Sequence, residues 1–200
     1  MGINRIACEA TRFTVQPERD RIRDRYNSVV RFHVTTAGLA LVIATSIFPC
    51  SRVGPIVPEE MVGQSDLIVR ATAVEYAQPP SNPNIRTTGE PDSQVRFRVD
   101  SLVKGRKAPT ELQLPGYLTD ADDYNENSVP YHFVRRGGRA GSCFANMYKT
   151  GGQYLLVLKL RAGAYTINWY ALGPTNEQLH GPNDPWLVWV QEQVRKATTG

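Results

Sequence analysis

QVRFRVD, Gln94–Asp100, decides how the chain is read. Val95, Phe97 and Val99 point one way. Arg96, Arg98 and Asp100 point the other. A period of two with one apolar side is the pattern of a half-buried β-strand, whose side chains alternate between core and solvent. Upstream, DLIVRATAVEY (Asp66–Tyr76) is rich in β-branched residues and predicts a second strand. Between the two, YAQPPSNPNIRTTGEPD holds four prolines and a glycine and predicts a loop. Downstream, SLVKGRKAP turns the chain, and Glu111–Leu114 predicts a short strand ending at Pro115-Gly116.

A long polar excursion follows over residues 117–142, with a short strand expected at Tyr131–Val134. Loops of this length are usually functional or mobile. Tyr154–Leu160 then predicts a strand that is almost continuously apolar, and Ala162-Gly163 turns it into AYTINWYAL, a second alternating strand. Glu59–Gln64 predicts one or two helical turns. Asp184-Pro185 marks a helix start, since Asp caps and Pro fits the first helical position. The helix is expected over 184–197, with Trp186, Trp189, Val190 and Val194 on its buried face. The expected fold is mainly β: a five-stranded, OB-like Greek-key barrel over residues 47–200 with a C-terminal α-helix.

The head reads differently. Residues 1–46 carry a net charge of +3, and residues 47–200 carry +1. The basic balance therefore belongs mostly to the head, which argues against a nucleic-acid partner for the body. Arg31, the run Ala37–Ala44 and the tripeptide Ala44-Thr45-Ser46 have the layout of a secretory signal: positive start, apolar centre, small-residue cleavage site. The apolar run is shorter than the roughly 20 residues of a membrane-spanning helix. The preceding 29 residues are a long basic extension, or translation starts at Val29 or Val30. The body is thus expected outside the cytoplasm, in the envelope, the periplasm or the medium.

Three cysteines are present: Cys8, Cys50 and Cys143. Removal of the head leaves two in an exported chain, and a Cys50–Cys143 bridge is expected there. It would close a loop of about 90 residues, which chain-entropy estimates value at about 4 kcal/mol. A competing reading is a lipoprotein acylated at Cys50, which would attach the chain to a membrane. Ile47-Phe48-Pro49 before Cys50 fits that poorly, because small residues are wanted there.

SDLIVRATAVEY, VRFRVDSLVKG and SCFANMYKTGGQYLLVLKL, taken in order, resemble the netrin-like module of the tissue inhibitors of metalloproteinases and its bacterial relatives. The resemblance spans about residues 50–172. It implies an OB-like barrel, and it too implies that Cys50 pairs with Cys143. The animal inhibitors begin with C-x-C, which chelates the zinc of the protease. Here Ser51-Arg52 follows Cys50, and cleavage after Ser46 would leave Cys50 without a free amine. Protease inhibition is accordingly disfavoured.

No catalytic constellation is evident, and no cofactor is expected. His132 and His180 stand in polar stretches with no sign that they meet, and AGSCF is not a nucleophile motif. A hydrolase using other residues ranks last. Asp120, Asp122 and Asp123 are a weak calcium candidate, since Ca²⁺ takes several oxygens, but the stretch lacks the EF-hand spacing. No metal site is otherwise expected. Tyr131, His132, Arg135, Arg136 and Arg139, around Gly137-Gly138, form a flexible basic turn and the candidate contact loop for a protein or envelope component.

Overall fold

The computed structural model describes residues 56–82, 90–139, 143–168, 170 and 172–199. All of them belong to one compact unit, Phe48–Gly200. The head, residues 1–46, and Cys50 lie outside the described residues.

The elements run α1 (Pro58–Gln64), β1 (Leu67–Gln78), β2 (Gln94–Lys104), β3 (Glu111–Pro115), β4 (Tyr117–Thr119), α2 (Arg136–Arg139), β5 (Met147–Lys149), β6 (Gln153–Arg161), β7 (Ala164–Ile167), β8 (Asn176–Leu179) and α3 (Pro185–Thr199). The main sheet has the order β3-β2-β1-β6-β7, with β8 also paired to β6. Every pairing in it is antiparallel. β4 and β5 form a separate parallel pair. The expectation of a mainly β domain with a C-terminal helix is met. The expected count of five is replaced by eight strands among the described residues, and no β3–β7 pairing that would close a barrel is present among them.

The period of two explains the core. Leu67, Val69, Ala71 and Ala73 of β1 face one side with Val95 and Phe97 of β2 and Tyr154, Leu156 and Leu158 of β6. Ile68, Leu155 and Val157 face the other side and meet Met61 and Val62 of α1 and Trp186, Leu187 and Val190 of α3. β6 is covered on both faces, which is why its sequence is apolar throughout. β2 has one covered face, and Arg96 and Arg98 on the other pair with Glu75 and Asp100.

Two expectations about strands fail. Tyr131–Val134 is not a strand: Tyr131 and Val134 are buried and His132 and Phe133 are exposed, without ladder pairing. The strand after the Ala162-Gly163 turn ends at Ile167, and a new one begins at Asn176. β7 and β8 lie end to end along one edge of β6, at 158–161 and at 153–156. Between them Val157 bridges the gap, accepting from Asn168 N at 3.2 Å and donating to Thr175 O at 2.8 Å. A turn closed by Gly173 N on Tyr170 O, with Leu172 at φ 61°, stands between the two strands.

The α3 cap follows expectation. Asp184 Oδ1 accepts from Trp186 N at 2.9 Å, and Pro185 opens the helix. Trp186 is fully buried and stacks between Tyr131 at 4.9 Å and Trp189 at 5.0 Å. No helix among the described residues is long and apolar enough to cross a membrane.

Candidate functional site

The excursion after β3 is not a free loop. It is laced to the sheet through β8, whose four residues are all buried although three are polar. Each polar side chain of β8 holds a different part of the excursion or of the segment that follows it. Asn176 Nδ2 donates to Ala145 O and, at 2.8 Å, to Tyr148 Oη. Glu177 Oε2 accepts from Asn125 Nδ2 at 2.9 Å, and Oε1 from Arg135 N at 3.3 Å. Gln178 accepts from Asp123 N at 2.8 Å and donates to Asp122 Oδ1 at 2.6 Å.

Arg135 lies at the centre of this network and is fully buried. Its guanidinium donates to the carbonyls of Asn176, Ala145 (3.2 Å) and Met147 (2.7 Å), and Nε pairs with Asp123 Oδ2 at 3.0 Å. It stands over the rings of Tyr148 and Tyr154, at 5.7 and 5.3 Å from their centroids. Five donors in a planar fork suit this multiple ligation, which a lysine would not reproduce. Burial raises the Glu177 carboxyl to about 7, although Arg135 and then the Asn125 hydrogen bond pull it down. Burial also pushes the phenols of Tyr148 and Tyr154 upward.

The reading of the basic turn is therefore corrected for Arg135 and Tyr131. Arg135 is sequestered by main-chain acceptors, and Tyr131 packs in the core under Trp186. Neither presents a contact surface. His132, Phe133, Arg136 and Arg139 remain outside, and Phe133 is 45% exposed. Gly137 and Gly138 do not make the turn loose. Gly137 N donates to both Asp123 oxygens at 3.0 and 3.1 Å, and a Cβ on Gly138 would stand 2.8 Å from Val134 and Ala145.

The calcium candidate is corrected as well. Asp122 is turned onto Lys149 Nζ at 2.6 Å, which holds its carboxyl below the usual range, and Asp123 is turned onto Arg135. Asp120 stands apart and exposed. The Asp122 and Asp123 carboxylates are neutralised by side chains of the protein, and no group of three or more metal-ligating residues converges among the described residues.

His132 Nδ1 lies 3.3 Å from Ile56 O, far along the chain from His180. His180 Nδ1 approaches Asp184 Oδ2 at 3.1 Å, and its ring stacks on Tyr124 at 4.0 Å. Asp184 also takes the main-chain N–H groups of His180 and Trp186, so this pair serves the start of α3. Cys143 is half-buried at φ 61°, and Cys50 is outside the described residues.

The Glu177–Arg135 contact was missed from sequence. TNEQL has no apolar period, and the one hint is that the excursion carries both Asp and Arg. No family model matches the chain, and no curated protein matches it. The resemblance to netrin-like modules rests on the three quoted segments.

Proposed function

We propose that this is an exported, non-catalytic, netrin-like OB-fold domain that binds a protein or envelope component through the tip of its excursion. The observation that carries this reading is the contrast within residues 131–139. Tyr131, Val134 and Arg135 are buried, while His132, Phe133, Arg136 and Arg139 stand outside. An exposed aromatic beside cations, on a segment fixed from beneath, meets a partner at low entropic cost, since aromatic and Arg side chains dominate binding interfaces. The small net charge of residues 47–200, +1, favours a protein or envelope surface over nucleic acid.

The Cys50–Cys143 bridge is part of this reading. It is supported by the cysteine count, since an exported chain that has lost its head keeps two cysteines, Cys50 and Cys143. It would tie the segment ahead of α1 to the base of the excursion. Intact mass spectrometry of the exported protein tests it together with the start of the mature chain: a loss of two hydrogens without an adduct supports the bridge, and a diacyl adduct replaces it with a lipid anchor.

The binding reading is tested with a Phe133→Ala, Arg136→Glu, Arg139→Glu variant. Partners are cross-linked in envelope extracts and compared with those of the unaltered chain. Loss of specific cross-links with a preserved circular dichroism spectrum is expected. An unchanged cross-link pattern removes the tip from the function.

A further inference from the structure

A second surface stands at the opposite end of β6 from Glu177. An open pocket of about 530 Å³ is lined by Asp66, Gly105, Arg106, Lys107, Leu160 and Tyr165. That size falls in the ordinary range of ligand pockets, about 300–1,000 Å³. The register assembles it: Ile68 pairs with Lys104, Leu67 with Leu158, and Leu160 with Tyr165. The start of β1, the end of β2 and the β6–β7 hairpin therefore converge. Gly105 makes the turn at φ +118°, where an added Cβ would stand 3.0 Å from Leu67 Cδ1. A side chain is disfavoured there on both counts.

The charges around this pocket divide into committed and uncommitted ones. Lys104 Nζ is spent on the carbonyls of Val62, Gly63 and Ser65 at 2.7, 2.7 and 2.8 Å. Asp66 Oδ2 accepts from Leu160 N at 2.8 Å and faces Lys159 Nζ at 3.9 Å. Arg106 and Lys107 have no hydrogen-bonding or ionic partner among the described residues. They flank Leu160, which is 52% exposed, and half-buried Tyr165. Two free cations beside an apolar wall favour an occupant with carboxylates next to an apolar side chain.

We propose that this pocket docks an acidic peptide segment of a protein partner, with its carboxylates on Arg106 and Lys107 and an adjoining apolar side chain on Leu160 and Tyr165. An anionic membrane is the poorer fit, because lipid-binding patches gather about four to eight cations and two are free here. Single-stranded nucleic acid wants successive stacking aromatics, and Tyr165 is the one aromatic lining the pocket. The surface is separate from the 131–139 tip, so each is tested without the other.

The experiment is an anisotropy titration of the full chain with fluorescein-labelled Gly-Glu-Leu-Asp-Leu-Glu-Gly at low salt. The control peptide replaces Glu and Asp by Gln and Asn. Saturable binding of the acidic peptide is expected, weakened at least about tenfold for the amide peptide and for Arg106→Glu/Lys107→Glu, as for loss of charge-assisted hydrogen bonds. Leu160→Ser should weaken it as well, and the Phe133, Arg136, Arg139 variant should leave it unchanged. Arg106→Gln/Lys107→Gln repeats the test without charge reversal, and circular dichroism checks each fold. Equal binding of both peptides, or full binding by the Arg106/Lys107 variants, overturns the proposal. So does sedimentation with phosphatidylglycerol vesicles in place of peptide binding.

Discussion

Arg135 illustrates what one buried charge can do. It is fully enclosed, yet three carbonyls and the Asp123 carboxylate surround its guanidinium. A buried charge is tolerated when its remaining donors are satisfied, and removing one partner leaves the others stranded. Arg135→Met should therefore lower unfolding free energy by about 3–5 kcal/mol, read from urea denaturation. A change under about 1 kcal/mol would mean that the excursion is held by other contacts. Glu177 gives a second test at this scale. Its carboxyl is raised to about 7 in the fold, mainly by burial, whereas an unfolded Glu ionises near 4.5. Below the lower value both states hold the proton. Between the two values the unfolded chain releases its proton first, so stability falls as pH rises through this window and levels off above the folded value. At about 1.4 kcal/mol per pH unit, the fall is on the order of 3 kcal/mol. Glu177→Gln should remove this slope when the difference between the two proteins is followed from acid to neutral pH. Parallel profiles for the two proteins would remove Glu177 from the pH response.

At the scale of elements, α3 was the most legible. Asp184-Pro185 announced its start, and Trp186 and Val190 marked its buried face. Local chemistry sufficed because a cap needs one acceptor within two or three residues. Asp184→Ala should cost about 1–2 kcal/mol by loss of the cap. Trp186→Ala should cost about 3–5 kcal/mol, because its ring fills the space between Tyr131 and Trp189. Thermal denaturation ranks the two: a larger loss for Asp184→Ala than for Trp186→Ala contradicts the packing argument. β1, β3 and β6 were legible too, within one or two residues at their ends, whereas β2 runs on to Lys104 through residues expected to turn. β8 was not. Its residues are polar because they serve as ties between sheet and excursion, and a polar tie has no hydrophobic period to read. The break between β7 and β8 was equally hidden, since Asn168 looked like one more outward residue of an alternating strand. Gly116 shows a related limit: a Cβ there would stand 2.3 Å from the Tyr148 ring, a contact made between residues far apart in sequence.

At the scale of the molecule, the main sheet separates two cores, one with Phe97, Tyr148 and Tyr154, the other with α1, α3 and Tyr131. Both cores share β1 and β6, so damage on either side should be felt by the whole domain. Cys143→Ser should lower stability by about 2–4 kcal/mol and lower the mass by about 14 Da, the sulfur-to-oxygen loss offset by two regained hydrogens, if Cys50 and Cys143 are bridged. An unaltered melting temperature after reduction would dismiss the clasp. The alternation in Gln94–Asp100, the apolar run of β6 and the Asp184-Pro185 start were determined by sequence alone, because periodicity and capping act within a few residues. The burial of Arg135, the capture of Asp122 and Asp123 and the making of the pocket at Arg106 and Lys107 were decided by tertiary structure. Each depends on which distant carbonyl, cation or strand end the fold brings alongside, and that pairing leaves no local mark.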